Sequence, residues 1–178
     1  MKRSLIALSL MTAVSATHAV ADTGTILFTG KVNGNTCSIE ITDPYNGAVM
    51  NPIVLPEGEA AQFDAIGQES HPVSFGMKIT DGTNCDTTGK KGYVSFMGKD
   101  GAAGASNDLH ALHTGSASGV ALAIKDSDGK LIAYGANSKD YDLDASKTMV
   151  FQANLRSTAA SVSPGPVNAT IPFVFNIK

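Results

Sequence analysis

His110-Ala-Leu-His113 places two imidazoles three residues apart, a spacing that on a helix would let both reach one metal ion. No third ligand lies nearby and the neighbourhood is rich in Gly, Ala and Ser, so the pair reads as two solvated loop histidines. Asp126-Ser-Asp-Gly129 begins like a calcium loop, but such a loop has its glycine sixth and its glutamate twelfth, and here Gly129 is fourth and the twelfth place is Asn137. A hairpin turn accounts for it better. Asp140, Asp142 and Asp144 alternate on one side of a short segment and read as a solvated acidic loop. No Gly-x-Ser-x-Gly elbow, phosphate-binding glycine loop or His-Glu-x-x-His occurs, so no catalytic residue, metal or cofactor is assigned. A secreted hydrolase using His110 or His113 is the enzymatic alternative, and no motif supports it. Asn168-Ala-Thr170 matches a glycosylation acceptor but falls where a strand is expected.

The two cysteines, Cys37 and Cys85, take their chemistry from the compartment. Met1-Lys-Arg leads into the apolar stretch Leu5 to Ala16 and then Ala19-Val-Ala21, the small-x-small pattern of a signal-peptide cleavage site, so residues 1–21 are expected to be removed. That stretch is shorter than the roughly 20 residues a spanning helix needs, and no later one matches it, so the mature chain is expected not to be membrane-embedded. In an exported chain a lone cysteine pair reads as a disulfide. Loss of Lys2 and Arg3 with the leader makes the formal charge of −3 more negative still, which argues against nucleic acid as a partner.

Two strands at opposite ends of the mature chain answer each other. From Ala169 onward, Ala169, Ile171, Phe173, Phe175 and Ile177 share one face of a strand, a continuous apolar ribbon. Pro172 has no N–H to give a ladder, which favours an edge strand, and an apolar edge invites pairing. In the segment Gly24 to Val32, the residues Ile26, Phe28, Gly30 and Val32 share a face ahead of Cys37, as in a strand held out in front of the domain.

Between these ends the chain reads as short strands joined by long turns. Cys37 to Thr42 alternates and Asp43 to Gly47 turns; Asn51 to Leu55 is short and apolar, followed by a polar connection from Pro56 to Ser70. Val73, Phe75, Met77 and Ile79 share a face, as do Met149, Phe151, Ala153 and Leu155, with Tyr93 to Met97 a further strand. Val120 to Lys125 and Lys130 to Ala133 flank the Asp126 turn as a hairpin. Lys99 to Gly119 is small and polar and reads as a surface excursion, with at most a turn of helix over Asp108 to Thr114. The sum is an all-β, immunoglobulin-like sandwich without the tryptophan of antibody domains.

Taken together the residues resemble the type 1 pilin subunits of the chaperone-usher pathway of Gram-negative bacteria. The resemblance spans the mature chain and rests on Thr25 to Val32 ahead of Cys37-Ser-Ile, on Cys85, on Gly119 to Gly129, on Phe151-Gln-Ala-Asn-Leu-Arg156, and on Gly165 fourteenth from the end before an alternating tail. It implies a sandwich lacking its final strand: a donor arm over residues 22–36 and a pilin domain over 37–178. It further implies that Gly165, Ile171, Phe173, Phe175 and Ile177 form the groove edge that binds chaperone and neighbouring subunit, and that Ile26, Phe28, Gly30 and Val32 form the donor face. The implied partners are a periplasmic chaperone, an outer-membrane usher and neighbouring pilins, and the implied destination is the surface fimbrium. Ile177 departs from the aromatic usual at the penultimate place. A minor or adaptor subunit, binding a receptor through Lys99 to Gly119, is the alternative.

Overall fold

The computed structural model describes residues 37–80, 85–144 and 146–178. The expected leader, residues 1–21, and the expected donor arm, residues 22–36 with Ile26, Phe28, Gly30 and Val32, lie outside the described residues.

The described chain is built from β1 (Ser38–Thr42), β2 (Val73–Thr80), β3 (Lys91–Phe96), β4 (Ala102–Ala103), β5 (Leu109–His110), β6 (Val120–Asp126), β7 (Tyr141–Asp142), β8 (Thr148–Ser157) and β9 (Phe173–Ile177), with a single 3-10 turn at Ala60–Gln62. All ladders are antiparallel. One sheet has the order β1-β2-β8-β6-β5-β4 and the other β7-β3-β9.

The alternation of each strand decides what lies between the sheets. Met149, Phe151, Ala153 and Leu155 of β8 are buried, and the register sets Phe75 opposite Phe151 and Met77 opposite Met149, so large side chains meet in cross-strand pairs. From the smaller sheet Val94 and Phe96 fill the same core. Phe151 is its centre: its ring stacks on Phe75 at 5.6 Å, meets Phe96 edge-on at 5.3 Å and lies 5.2 Å from Tyr141. The Tyr141 hydroxyl donates to the Val150 carbonyl at 2.8 Å, and burial pushes its phenol up to about 12.

The hairpin at Asp126 forms, but its second limb is brief. Asp126 Oδ1 accepts the N–H groups of Asp128 (2.9 Å) and Lys130 (3.1 Å), Gly129 takes a positive φ of 75°, and Lys125 bridges to Leu131. The chain then crosses to the other sheet, where Gly135 and Ser138 donate to the carbonyls of Phe96 and Val94, each at 2.8 Å. The span Lys99 to Gly119 is less of an excursion than its composition implies. Ala102–Ala103 and Leu109–His110 pair with each other, β5 joins β6 through His110 and Leu122, and Leu109 and His110 are buried. No helical turn forms over Asp108 to Thr114.

Cys37 and Cys85 are joined in a disulfide with Cα atoms 4.8 Å apart and a sequence separation of 48. It ties the start of β1, at one edge of the large sheet, to the segment that leads into β3, at the centre of the small one. Replacing both cysteines with alanine should therefore lower stability by about 4 kcal/mol on the chain-entropy account of a loop this long. Denaturant midpoints of the two forms measure this, and an unchanged midpoint would show that the sheets hold each other without the clamp.

Candidate functional site

A groove of about 920 Å³ opens along one side of the sandwich. Its floor is apolar and comes from both sheets: Phe75, Leu122, Ile124, Ala153 and Leu155 from the large sheet and Phe96 from the small one. One wall is the extended segment 51–58, whose Ile53 and Leu55 turn inward against the core while Val54 is 73% exposed. The other wall is the segment 162–173, which leads into β9.

The backbone of the second wall is paired on one side only. Lys91 and Lys178 exchange both their hydrogen bonds, at 3.0 and 2.9 Å, and an antiparallel ladder repeats that relation every second residue. Met97 accordingly donates to the Pro172 carbonyl and Lys99 to the Thr170 carbonyl, each at 2.9 Å. The residues between, Ile171, Phe173, Phe175 and Ile177, must aim their N–H and C=O groups at the opposite edge. No backbone hydrogen bond reaches that edge among the described residues. The same period turns their side chains toward the core face. β9 is an edge strand, as Pro172 led one to expect, but the missing N–H falls on the β3 side, where it removes one bond of the Met97 pair, and the free edge keeps an unbroken row of donors from Ile171 to Ile177.

Of the five residues expected on this edge, Gly165, Ile171 and Phe173 line the groove, with Phe173 39% exposed. Phe175 and Ile177 continue the strand past the cavity. The Phe175 ring fills the space over Gly92, where an added Cβ would come within 2.8 Å of it. Gly165 sits against the main chain: a Cβ there would lie 2.8 Å from the Ala117 nitrogen and 3.0 Å from its Cα, while the Ala117 N–H donates to the Pro166 carbonyl at 2.8 Å. The glycine lets the wall seat on Ser116 and Ala117.

The histidine pair has a structural place rather than the solvated one expected. His110 is fully buried, and its Nδ1 accepts the Gly98 N–H at 3.2 Å. His113 pairs through Nδ1 with Asp100, its Nε2 lies 3.0 Å from Thr170 Oγ1, and its N–H donates to the Asn168 carbonyl at 2.8 Å. It clasps the wall from outside. The three alternating aspartates do separate work: Asp140 pairs with Lys178 at 2.9 Å, Asp142 accepts the Asp144 N–H at 3.0 Å, and Asp144 accepts the Gly89 N–H at 2.7 Å. Among the described residues no three His, Cys, Asp or Glu side chains are grouped to hold a metal ion, and no helix is long and apolar enough to cross a membrane.

Asn51 to Leu55, in sequence only a short apolar stretch, forms part of the first wall. Its signal was the alternation of Ile53 and Leu55. Phe63, inside a connection read as polar, is 3% exposed and packs with Val120 and Leu155 at the end of the groove.

A two-sheet antiparallel sandwich with an apolar groove beside a half-paired wall is the architecture of the pilin class. The comparisons agree. Residues 26–178 match the family model described as fimbrial protein. The chain is 34% identical to the "Probable major fimbrial subunit LpfA" of Escherichia coli O157:H7, over 97% of this chain and 95% of that one. It is 32% identical, with the same coverage, to the long polar fimbria protein A of Salmonella typhimurium. The crystal structure of the P pilus rod subunit PapA superposes with a TM-score of 0.58 at 19% identity, covering 88% of this chain and all of that one. This chain belongs to the fimbrial protein family, and its role is that of a structural pilin.

The tight seat of Gly165 yields a direct test. Gly165→Val should force the wall off Ala117 and cost about 1–3 kcal/mol, as overpacking against unyielding backbone does. Thermal or denaturant midpoints of the isolated protein check it, and a midpoint equal to that of wild type would mean the wall seats without the close approach.

Proposed function

We propose that the groove receives an extended apolar strand, and that residues 22–36 are the strand this chain offers to the groove of a neighbouring subunit, with Ile26, Phe28, Gly30 and Val32 facing in. The observation that carries the reading is the groove itself: two walls, 51–58 and 162–173, over an apolar floor, with the second wall's outer backbone edge unpaired among the described residues. An inserted strand would bury the floor and extend the ladder in one step. Strand addition is a general mode of recognition of which pilin complementation is a named case. The family match begins at residue 26 and so takes in the four proposed donor residues. Before assembly a periplasmic chaperone occupies the groove, and an outer-membrane usher is where the exchange takes place.

The product is a surface fimbrium, as the fimbrial relatives indicate. Among its components we assign this chain to the rod. Support comes from the relative described as a major subunit and from the likeness of fold to a rod subunit.

The two halves of the reading separate by mutation. Ile26→Asp with Phe28→Asp should leave chaperone binding intact and stop polymerisation, because burying two unpaired carboxylates in an apolar groove costs several kcal/mol. Phe173→Asp with Phe175→Asp should abolish both, since the wall and the core behind it are damaged. Filament assembly and chaperone co-purification read the outcomes. Filaments of normal stability from the Ile26 and Phe28 double variant would show that the arm is not the donor. Expression without the cognate chaperone should likewise lower the periplasmic yield of soluble chain, the exposed floor and bare edge favouring aggregation; equal yields of cooperatively folded monomer would show that the domain needs no added strand.

A further inference from the structure

His110 is a buried titratable group that strand exchange does not use. It is 0% exposed, and its Nε2 is buried with no hydrogen-bond partner among the described residues. Because Nδ1 accepts the Gly98 N–H, the single proton of the neutral ring is on Nε2. A second proton has only Nδ1 to go to, where it would point at the Gly98 N–H and set two donors against each other. Gly98 has little room to adjust. A Cβ built on it would lie 3.2 Å from His110 Cβ and 3.3 Å from both His110 Nδ1 and Ile171 Cδ1.

Gly98 lies between two of the four residues whose N–H groups anchor the groove wall. Met97 and Lys99, on either side of it, donate to the carbonyls of Pro172 and Thr170. Among the described residues the surroundings offer no countercharge to an imidazolium. Ala102 of β4 and Leu122 of β6 are its ladder partners, Ile171 meets the same Gly98 site from the wall, and the Tyr134 ring stands 5.5 Å away with its hydroxyl donating to the Gly98 carbonyl at 3.3 Å. The charged groups nearest in the chain are Lys99, Asp100, Asp108 and His113; Asp100 is engaged by His113, and no hydrogen bond or ion pair links any of them to the His110 ring.

We propose that His110 is an acid-sensitive latch behind the groove wall: neutral, it fastens Met97 to Lys99 and through them Thr170 to Pro172, and on protonation it releases Gly98 and loosens that stretch. Its consequence for an inserted strand, a weaker grip in acid, rests on the groove reading. The latch itself does not. Burial holds the imidazole below its ordinary range, so the unfolded chain takes up the proton first. The stabilisation is therefore complete above about pH 6.5 and is lost as pH falls through the lowered value.

The test uses the full chain in the state in which it is isolated. Exchange of histidine C2 hydrogens, read by mass spectrometry, follows His110 individually: slow exchange with a midpoint below about 6.5 is expected, and fast exchange at an ordinary midpoint overturns the proposal. Amide exchange at about pH 7.5 and about pH 5, corrected for intrinsic rates, should show peptides over Phe96 to Asp100 and Asn168 to Phe173 losing protection by about tenfold or more in acid, while β2 and β8 keep theirs. His110→Asn supplies an acceptor that cannot titrate and should abolish the acid effect. An equal acid loss in that variant, no loss in wild type, or a loss spread evenly through β2 and β8 overturns the latch. If His110→Asn fails to fold, the wild-type midpoint and the selectivity of the loss still decide. A refutation of donor-strand pairing by the assembly experiments leaves all these readouts unchanged.

Discussion

A backbone N–H or C=O at the edge of a sheet must bond to water or to another strand, and among the described residues the outer edge from Ile171 to Ile177 leaves that requirement open beside the groove. The strand period makes the opening selective. The residues whose backbone groups face the free edge are the ones whose side chains face the core, so pairing the edge and covering the apolar floor are a single geometric act. A partner that supplies only an apolar surface leaves the donors of the wall unpaired. One that supplies only a ladder leaves Phe75, Leu122 and Leu155 facing water. An alternating strand does both, each net hydrogen bond contributing about 1 kcal/mol and each large buried side chain about 1.5–3 kcal/mol.

That division also separates affinity from register. Main-chain bonds repeat every second residue and tolerate any sequence, so they cannot by themselves fix where a strand stops sliding. Side chains can, because a slip of one residue sends every inward group outward. The proposed donor face of two large residues, a glycine and a valine carries a size pattern as well as an alternation, so a slip of two residues would also misplace volume against the floor.

Much of this was legible because period-two alternation is local. The ribbon Ala169 to Ile177, the cross-strand faces of β2 and β8, and the Asp126 turn are written in consecutive residues, and tertiary structure had little to add. The histidines show the converse. His110 and Leu109 lie among Gly, Ala and Ser, and small residues read as solvent-exposed when nothing in the window reveals a neighbour. Their burial comes from β6, through the pairing of His110 with Leu122, and no local pattern announces that contact. The direction of Pro172 was hidden for a related reason: the lost donor was certain from the residue type, but which edge lost it depends on the register with Met97.

The two walls of the groove are held in different ways, and this decides how it can stay open without a strand between them. The wall 162–173 is anchored from behind by Met97, Lys99, His113 and Ala117, each donating an N–H to one of its carbonyls, with Gly165 removing the one side chain that would prevent the seat. The wall 51–58 has no backbone hydrogen bond to either sheet among the described residues and is held by Met50 bonding back to Ile41 and by the inward Ile53 and Leu55. A segment fixed by few side chains and no ladder opens at lower free energy than one fixed by a ladder. An entering strand therefore meets one wall that already dictates register and one that can adjust to the volume of what enters. Rigidity on the side that reads backbone, and compliance on the side that meets side chains, would let the proposed strand site take donors of different side-chain volume in one frame.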